Sequence, residues 1–286
     1  MLKTFKFRLK PTQEQSVLLN KHIGASRFVY NLALECKQMA WEGNKINLTC
    51  FDLIKQLPEL KKECEWLKEI NSQSLQQPIK NLDNAYAQFF KGKGNFPKFK
   101  KKSNGGSFNI PQNVSLENGK LIVPKFKKGI NIILHRPIKG VIRQATISIT
   151  STGKYFVSIL CETGEEVKSK VKIEENTCVG IDLGIKTFLV TSNGECFDNP
   201  KFLRASLSKL KYLQRKFSKK KGKRTKNELA KLHEKVANQR KDFLNKTSSK
   251  LISDNQTICI EDLNIKGMLA NHKLALSISD CGWSMF

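Results

Sequence analysis

The chain begins with a strict alternation of apolar and basic side chains. Residues 2–10 include the run Phe5-Lys6-Phe7-Arg8-Leu9, which has the two-residue period of a half-buried strand. Pro11 ends this pattern, and Thr12 and Gln15 then fit a capping box that precedes apolar residues at helical spacing. The pattern therefore predicts a strand over residues 2–10 followed by a long helix.

Helical spacing of the apolar residues continues over residues 50–90, with Phe89-Phe90 in its last apolar stripe. Pro58 and Pro78 predict two breaks in this region, because proline lacks the backbone donor that a helix interior needs. The first strand is thus expected to lead into a helical insertion.

Short β-rich runs separated by glycine and proline turns occupy residues 108–162. The runs are Lys120 to Val123, Ile130 to Leu134, Ala145 to Ser151 and Tyr155 to Cys161. This spacing is typical of a small antiparallel barrel or sandwich, and we expect the strand over residues 2–10 to belong to it.

A charged stretch over residues 162–175 leads into a second β-rich region. Strands are predicted over residues 177–183, 186–191 and 195–198, with Ser192-Asn193-Gly194 as a turn. Two helices with leucine-rich stripes follow, and the chain then returns to a strand over Thr257-Ile258-Cys259-Ile260.

The charge of the chain indicates which class of partner it binds. The 286 residues carry 51 Lys and Arg against 25 Asp and Glu, which gives a net charge of +26. Such an excess suits a polyanion, with nucleic acid the leading candidate and a membrane surface the weaker one. The chain has no apolar window of 18 residues and no signal-peptide core at its start, so we expect a cytoplasmic, nucleoid-associated protein without a membrane partner.

One basic segment, Lys91 to Ser107, interleaves aromatic rings with lysines. Its candidate nucleic-acid contacts are Lys93, Phe96, Lys98, Phe99, Lys100, Lys101 and Lys102. Cations beside aromatic rings suit a groove that follows phosphates and stacks on bases or sugars. The alternative is a solvated basic loop that two phenylalanines anchor.

A second basic segment lies between the two C-terminal helices, where we predict a loop over residues 219–226. Its candidate contacts are Lys219, Lys220, Lys221, Lys223 and Arg224. Phosphate contact explains this density of charge, and a disordered, solvated loop tip is the alternative.

Two carboxylates carry the candidate chemistry. Asp182 lies in the middle of an apolar strand, where we expect a buried carboxylate that needs a partner or a metal ion. Glu261 ends a later strand. In an RNase H-like nuclease, parallel contact between the first and fourth strands brings two such carboxylates together. Hard divalent cations prefer clustered oxygen ligands of this kind.

The eight cysteines contain no C-x-x-C pair and have no histidine at ligand spacing. We interpret them as reduced, mostly buried thiols, and we expect no zinc site among them.

Motifs along the whole chain resemble those of the TnpB family, transposon-encoded RNA-guided nucleases related to the type V CRISPR effectors. They are Arg27-Phe28-Val29-Tyr30-Asn31, Ser74-Leu75-Gln76-Gln77, Phe96-Pro97-Lys98-Phe99-Lys100, Gly180-Ile181-Asp182-Leu183-Gly184, Asn238-Gln239-Arg240-Lys241-Asp242-Phe243 and Ile260-Glu261-Asp262-Leu263-Asn264.

The resemblance implies an α+β multidomain protein. Residues 1–10 and 96–170 would form a wedge-like β-barrel, residues 11–95 a helical recognition domain, and residues 171–286 an RNase H-like (RuvC) α/β domain. It also implies a monomeric protein that binds a guide RNA and double-stranded target DNA, with Asp182 and Glu261 as ligands of Mg²⁺.

The family pattern adds further candidate nucleic-acid contacts, each with a structural alternative. They are Arg27, Tyr30, Asn31, Arg240 and Lys241. Tyr30 and Phe99 could instead belong to the core, and Arg240 could pair with a neighbouring acid.

This sequence departs from the family after residues 277–283, where family members continue into a four-cysteine zinc ribbon and a final helix with a third catalytic aspartate. We therefore expect an incomplete RuvC site that holds Mg²⁺ weakly and cleaves DNA slowly or not at all, and no zinc. Asp262 and Asp280 are the nearest other acids, and we expect Asp280 to cap or solvate a helix.

Two other functions remain open from the sequence. A TnpB-derived repressor would bind target DNA through its RNA without cutting it. An actin-like ATPase is the remote alternative, because Val179-Gly180-Ile181-Asp182-Leu183-Gly184 also resembles a first phosphate loop, although no second phosphate loop follows.

Overall fold

The computed structural model describes residues 1–102, 105–166 and 172–286. The chain divides into two compact units, Met1–Val167 and Lys168–Phe286. The predicted domain boundary between residues 170 and 171 lies outside the described residues. Within the described ranges, no helix is both long enough and apolar enough to cross a bilayer.

The first unit contains a seven-stranded antiparallel sheet. Its strands are β1 (Leu2–Lys10), β2 (Gly106–Ile110), β3 (Ser115–Glu117), β4 (Lys120–Ile122), β5 (Ile130–Ile133), β6 (Val141–Ile149) and β7 (Tyr155–Glu162). They are ordered β2-β6-β7-β1-β5-β4-β3. β1 pairs with both β5 and β7, which confirms that the first strand belongs to this sheet.

The sheet curls around one apolar core. Phe7 and Leu9 of β1, Phe108 of β2, Leu121 of β4 and Val157 of β7 share this core and are almost completely buried. The hydrogen-bonded order of the described strands ends at β2 and β3, so the sheet is curled but open, where the sequence predicted a barrel or sandwich.

The helical insertion follows β1. It consists of α1 (Gln13–Asn44), α2 (Cys50–Lys55), α3 (Leu57–Glu63), a 3₁₀ turn (Glu65–Glu69) and α4 (Ser72–Phe90). Thr12 and Gln15 form the predicted capping box at the start of α1. Leu34, Leu67 and Leu75 lie in a separate core between these helices.

The predicted break at Pro78 is wrong, because Pro78 lies inside α4. An interior proline removes a hydrogen bond and costs a helix about 3 kcal/mol. Pro78 is buried together with Leu75, Ile79 and Leu82 along one stripe of α4, and burial of this stripe offsets the cost. Pro58 lies in the first turn of α3, where a proline is well tolerated.

The second unit contains β8 (Cys178–Leu183), β9 (Thr187–Thr191), β10 (Cys196–Asp198), α5 (Phe202–Lys219), α6 (Lys223–Asp254), β11 (Thr257–Ile260), α7 (Ile265–Met268) and α8 (Ala275–Cys281). Its sheet has the order β10-β9-β8-β11. β8, β9 and β10 pair antiparallel, whereas β11 pairs parallel to β8. The predicted strands therefore agree with the structure to within a residue or two.

The core of the second unit lies on one face of this sheet. Val179 and Ile181 of β8 pack there with Phe188 of β9 and with Leu244 and Leu251 of α6. The opposite face of β8 carries Gly180 and Asp182. The alternation of a strand thus decides which side chains of β8 are buried.

All eight cysteines are free thiols. Cys161 and Cys281 are buried, whereas Cys196 and Cys259 are exposed and the other four are half-buried. The expectation that the thiols are mostly buried is therefore wrong.

Candidate functional site

The register of β8 and β11 brings the two candidate carboxylates to neighbouring positions. Thr257 pairs with Cys178, and the parallel register continues to Ile260 opposite Ile181. Asp182 follows Ile181, and Glu261 follows Ile260, each by one residue. Adjacent strands lie about 4.8 Å apart, so these two residues follow the last pair side by side. The predicted parallel contact between the first and fourth strands of this sheet is confirmed.

Asp182 and Glu261 are both exposed, so the expected burial of Asp182 is wrong. Asp182 lies on the face of β8 that is opposite to the buried Ile181. Because water reaches both carboxylates, neither needs a partner to offset a cost of burial. Two exposed carboxylates at neighbouring positions of adjacent strands can bind a cation from solution.

Two carboxylate groups fit part of a Mg²⁺ site, since Mg²⁺ binds through one or two carboxylates together with waters and substrate phosphates. Among the described residues, no group of three or more His, Cys, Asp or Glu side chains is arranged to hold a metal ion. The pair formed by Asp182 and Glu261 thus offers hard oxygen ligands but not a closed protein cage.

Asp280 has a structural role at the start of α5. Its carboxylate accepts hydrogen bonds from the backbone N–H groups of Leu203 and Arg204, at 2.8 and 2.9 Å. It therefore caps α5 from a distant segment and places a negative charge at the positive end of that helix. The expectation that Asp280 caps a helix is confirmed.

Arg240 contacts the same carboxylate from α6. One terminal nitrogen of its guanidinium lies 3.7 Å from Asp280 Oδ1, and Nε donates to the Asp280 backbone carbonyl at 3.0 Å. Its side chain is only 17% exposed. Gly282 adopts a left-handed conformation beside it, where a Cβ atom would lie 2.6 Å from Arg240 Cδ. Arg240 thus pairs with an acid, which was the alternative to a nucleic-acid contact, whereas Lys241 is exposed.

The basic segment between α5 and α6 is shorter than predicted. α5 extends to Lys219 and α6 begins at Lys223, so the link is only Lys220-Lys221-Gly222. The predicted loop over residues 219–226 is therefore wrong, because most of its residues belong to the two helices. Its candidate contacts are nevertheless all exposed: Lys219, Lys220, Lys221, Lys223 and Arg224.

The first basic segment is fixed to α1 through Lys100. The side-chain amide of Asn31 donates to the Lys100 carbonyl at 3.0 Å and accepts from the Lys100 N–H at 2.8 Å. The Lys100 ammonium lies 3.8 Å from the centre of the Tyr30 ring. Desolvation lowers the pKa of this lysine. Asn31 and Tyr30 thus position the segment.

Other candidates differ in exposure. Tyr30 is buried in the helical core, as its structural alternative proposed, whereas Phe99 is exposed and Arg27 is half-buried. Phe96 packs edge to face against Tyr86 and Phe89 while remaining partly exposed. The lysines of this segment are exposed: Lys93, Lys98, Lys101 and Lys102.

Sequence reasoning missed the exposed aromatic rings of the helical insertion. Phe90 is 78% exposed, although the pattern placed it in an apolar stripe, and Trp41 on α1 is 55% exposed. An available signal was the position of Phe90 directly before the basic Lys91-Gly92-Lys93-Gly94 run, which indicates the end of a helix.

Comparison with protein families gives two matches. Residues 158–272 match a family model described as "Probable transposase", and residues 1–45 match one described as "Helix-turn-helix domain". In the structure, the second range forms β1 and the single helix α1.

Two curated relatives carry the name "Putative RNA-guided DNA endonuclease". One, from Streptomyces pristinaespiralis, is 34% identical and covers 99% of this chain and 72% of that protein. The other, InsQ of Escherichia coli (strain K12), is 33% identical and covers 93% of this chain and 67% of that protein.

A solved structure shares the fold. The cryo-EM structure of a Cas12f1-sgRNA-target DNA complex matches with a TM-score of 0.50 at 12% identity, over 96% of this chain and 71% of that chain.

Proposed function

Because this chain belongs to the TnpB family, we propose that it binds a guide RNA and, directed by that RNA, double-stranded target DNA. In this proposal the protein acts as a single copy in a ribonucleoprotein, and Asp182 and Glu261 hold the divalent metal of a RuvC-type nuclease site. The names of its two relatives support both the RNA and the DNA partner.

The observation that carries the proposal is the parallel pairing of β8 with β11. Three antiparallel strands followed by a fourth that pairs parallel to the first are the arrangement of an RNase H-like sheet, and this supports assigning the second unit to that class. The same pairing makes Asp182 and Glu261 neighbours. Among the described residues, no other two exposed carboxylates directly follow a pair of hydrogen-bonded strand residues.

Mg²⁺ is the metal that suits this carboxylate pair. In an RNase H-like site, a bound Mg²⁺ stabilises the charge on the attacking and leaving oxygens of the phosphodiester. Asp182 and Glu261 would bind the ion and orient it towards the DNA phosphate. Since two carboxylates alone hold Mg²⁺ weakly, we expect the phosphates of bound DNA to strengthen its binding and cleavage to be slow.

The basic residues would contact the nucleic acid backbone. Lys98, Lys101 and Lys102 form one exposed group, and the lysines at the junction of α5 and α6 form another. When base pairing to a guide RNA reads the target, the protein needs backbone contacts more than base contacts. The net charge of +26 suits such a role.

The test uses the full chain with the RNA that co-purifies with it, after the guide portion of that RNA has been exchanged to match a chosen DNA duplex. We expect RNA-dependent DNA binding together with slow Mg²⁺-dependent cleavage. Asp182→Asn and Glu261→Gln should each reduce the cleavage rate by at least about 100-fold, because each removes a metal ligand.

Asp262→Asn is the matched control, since Asp262 is an exposed acid next to Glu261 but lies outside the proposed pair. This variant should cleave like the unchanged chain. Equal loss in all three variants would contradict the assignment of the metal ligands. RNA-dependent binding with no cleavage at any Mg²⁺ concentration would favour the repressor, and tight ATP binding would favour the actin-like ATPase.

A further inference from the structure

A cleft in the helical insertion is lined by five aromatic side chains together with charged and polar residues. It lies between the C-terminal part of α1 and the C-terminal end of α4 and has a volume of about 730 Å³. We propose that this cleft binds an unpaired base of an RNA. This inference rests on the proposed function, because it assigns one contact of the RNA partner.

The rings of the cleft pack against one another, and some of them remain exposed. Phe96 contacts Tyr86 and Phe89 edge to face, with ring centres 5.5 and 5.3 Å apart. Phe90 lies next to Tyr86 and is 78% exposed, and Trp41 is 55% exposed on the facing helix. Exposed aromatic rings beside packed rings are surfaces on which unpaired bases can stack.

Cations lie over rings of the cleft. Lys37 Nζ is 5.4 Å from the centre of the Tyr86 ring and 4.0 Å from Asp83 Oδ1, and Lys45 Nζ is 5.7 Å from the Trp41 ring. Lys37 lines the cleft and its side chain is only 11% exposed, whereas Lys45 lies outside the lining residues. A phosphate that follows a stacked base can therefore pair with Lys45 beside the Trp41 ring.

The charges inside the cleft favour a base over a phosphate. Glu42, Asp83 and Lys37 are the charged lining residues, and Lys37 lies 4.0 Å from Asp83, which leaves one net negative charge. These carboxylates disfavour phosphate oxygens and can accept hydrogen bonds from the amino groups of bases. Lys91 and Lys93 are exposed and follow Phe90 directly in the chain. The arrangement thus provides rings, acceptors and one paired lysine within the cleft, and further lysines beyond the end of α4.

RNA supplies the base more readily than a DNA duplex. Bases in loops, bulges and ends of RNA are unstacked and open to aromatic side chains, whereas duplex bases are paired and stacked. The lining also contains Gln38, Glu42 and Asn47, whose side chains can hydrogen-bond to a ribose 2′-hydroxyl. These groups favour RNA over single-stranded DNA of the same sequence.

The experiment measures binding of a fluorescently labelled, single-stranded adenine RNA of about 10 nucleotides to the full chain by anisotropy, at a salt concentration that weakens phosphate contacts. Phe90→Ala should weaken binding roughly tenfold, because it removes a stacking surface. Phe51→Ala is the matched control. Phe51 is 73% exposed on α2 of the same helical insertion and does not line the cleft, so its loss should leave the affinity unchanged.

Several outcomes would overturn the inference. They are equal affinity of the Phe90→Ala and Phe51→Ala variants, equal competition by a duplex RNA of the same length, equal competition by single-stranded adenine DNA, and a dimer in light scattering that Trp41→Ala dissolves. The assay contains no guide and no target DNA. If RNA-guided DNA binding fails while Phe90-dependent RNA binding persists, the proposed function falls and the cleft assignment remains.

Discussion

His22 lies on the buried side of α1, where its ring packs against Phe108 of β2 at a distance of 4.9 Å between ring centres. Nδ1 is 2.9 Å from the Leu18 carbonyl and donates to it when Nε2 accepts from the Asn71 N–H, which is 3.4 Å away. Because Asn71 caps α4, this one neutral ring links α1, the sheet and the start of α4.

We predict that His22 makes the protein less stable in mild acid. Burial lowers the pKa of His22 below 6.5, and the charge of Lys125 lowers it further, against opposing effects of the Leu18 hydrogen bond and Glu69. The unfolded chain therefore binds a proton before the folded chain does, and stability falls as the pH drops from about 6.5 towards the folded value. Urea unfolding at a series of pH values measures this loss, which cannot exceed about 1.4 kcal/mol per pH unit.

His22→Leu keeps an apolar side chain against Phe108 and should lower overall stability while removing this pH dependence. His233→Gln, at an exposed position on α6, is the control and should leave it unchanged. An identical pH dependence in the His22→Leu variant and the unchanged chain would contradict the prediction.

At the residue scale, sequence alone could place the candidate carboxylates but not their surroundings. Alternation along β8 correctly separates Ile181 from Asp182, but it does not say which face of the sheet a core covers. Asp280 and Arg240 are 40 positions apart, and the packing of α8 within the second unit brings them together. Such a contact has no local signature, so only the option of an acid partner for Arg240 could be predicted.

At the element scale, the junction of α5 and α6 concentrates positive charge where helix electrostatics oppose it. Lys216 and Lys219 lie in the last turn of α5, where cations are favoured by the helix dipole. Lys223, Arg224 and Lys226 lie at the start of α6, where cations are disfavoured. Arg224 pairs with Glu228 one turn further along α6, whereas the charges of Lys223 and Lys226 oppose the dipole of that helix, and this supports a role of these lysines in contacting phosphates.

We predict that changing Lys219, Lys220, Lys221 and Lys223 together to glutamine weakens nucleic-acid binding. Each lost phosphate contact should reduce the slope of log affinity against log salt by about 0.9 for duplex DNA, so four contacts would reduce it by roughly 3 to 4. Filter binding of the ribonucleoprotein to DNA across a salt series gives this slope. The stability of the protein should stay about the same, because losing Lys223 removes a charge that opposes the dipole of α6, while losing Lys219 removes one that the dipole of α5 favours.

The control variant changes Lys62 and Lys68 to glutamine, since these lysines pair with Glu59 and Glu65 on the surface of the helical insertion. It lowers the net charge without changing the junction of α5 and α6. A slope that is the same in the quadruple variant and the unchanged chain would refute the phosphate contacts at this junction.

The elements themselves could be predicted where local signals were strong, as in β8, β9, β10 and β11. The strand β4 was predicted as the run Lys120 to Val123, whereas β3 was missed, although Asn118-Gly119 between the two strands is a strong hairpin signal. Both turn residues have positive φ, 47° and 72°, as a type I′ turn requires. Pro78 failed as a break signal because tertiary burial of α4 outweighs its local cost.

At the scale of the whole molecule, the sequence motifs, the family match and the strand order of the second unit agree on one account. A net charge of +26 suits a polyanion partner, and the TnpB relatives are named for action on DNA under RNA guidance. Composition predicted the class of partner, and the parallel pairing of β8 with β11 gives the candidate metal ligands a common position. Neither observation alone distinguishes a guided DNA-binding protein from a general binder of nucleic acid.

The most direct test is therefore the dependence of DNA binding on the guide. The full chain is loaded with RNA whose guide portion matches a labelled duplex, with RNA whose guide portion is scrambled, or with no RNA, and the equilibrium affinity for that duplex is measured in each case at one salt concentration. The account predicts that the matched guide binds at least about 100-fold more tightly than either control. Equal affinity in the three preparations would contradict it.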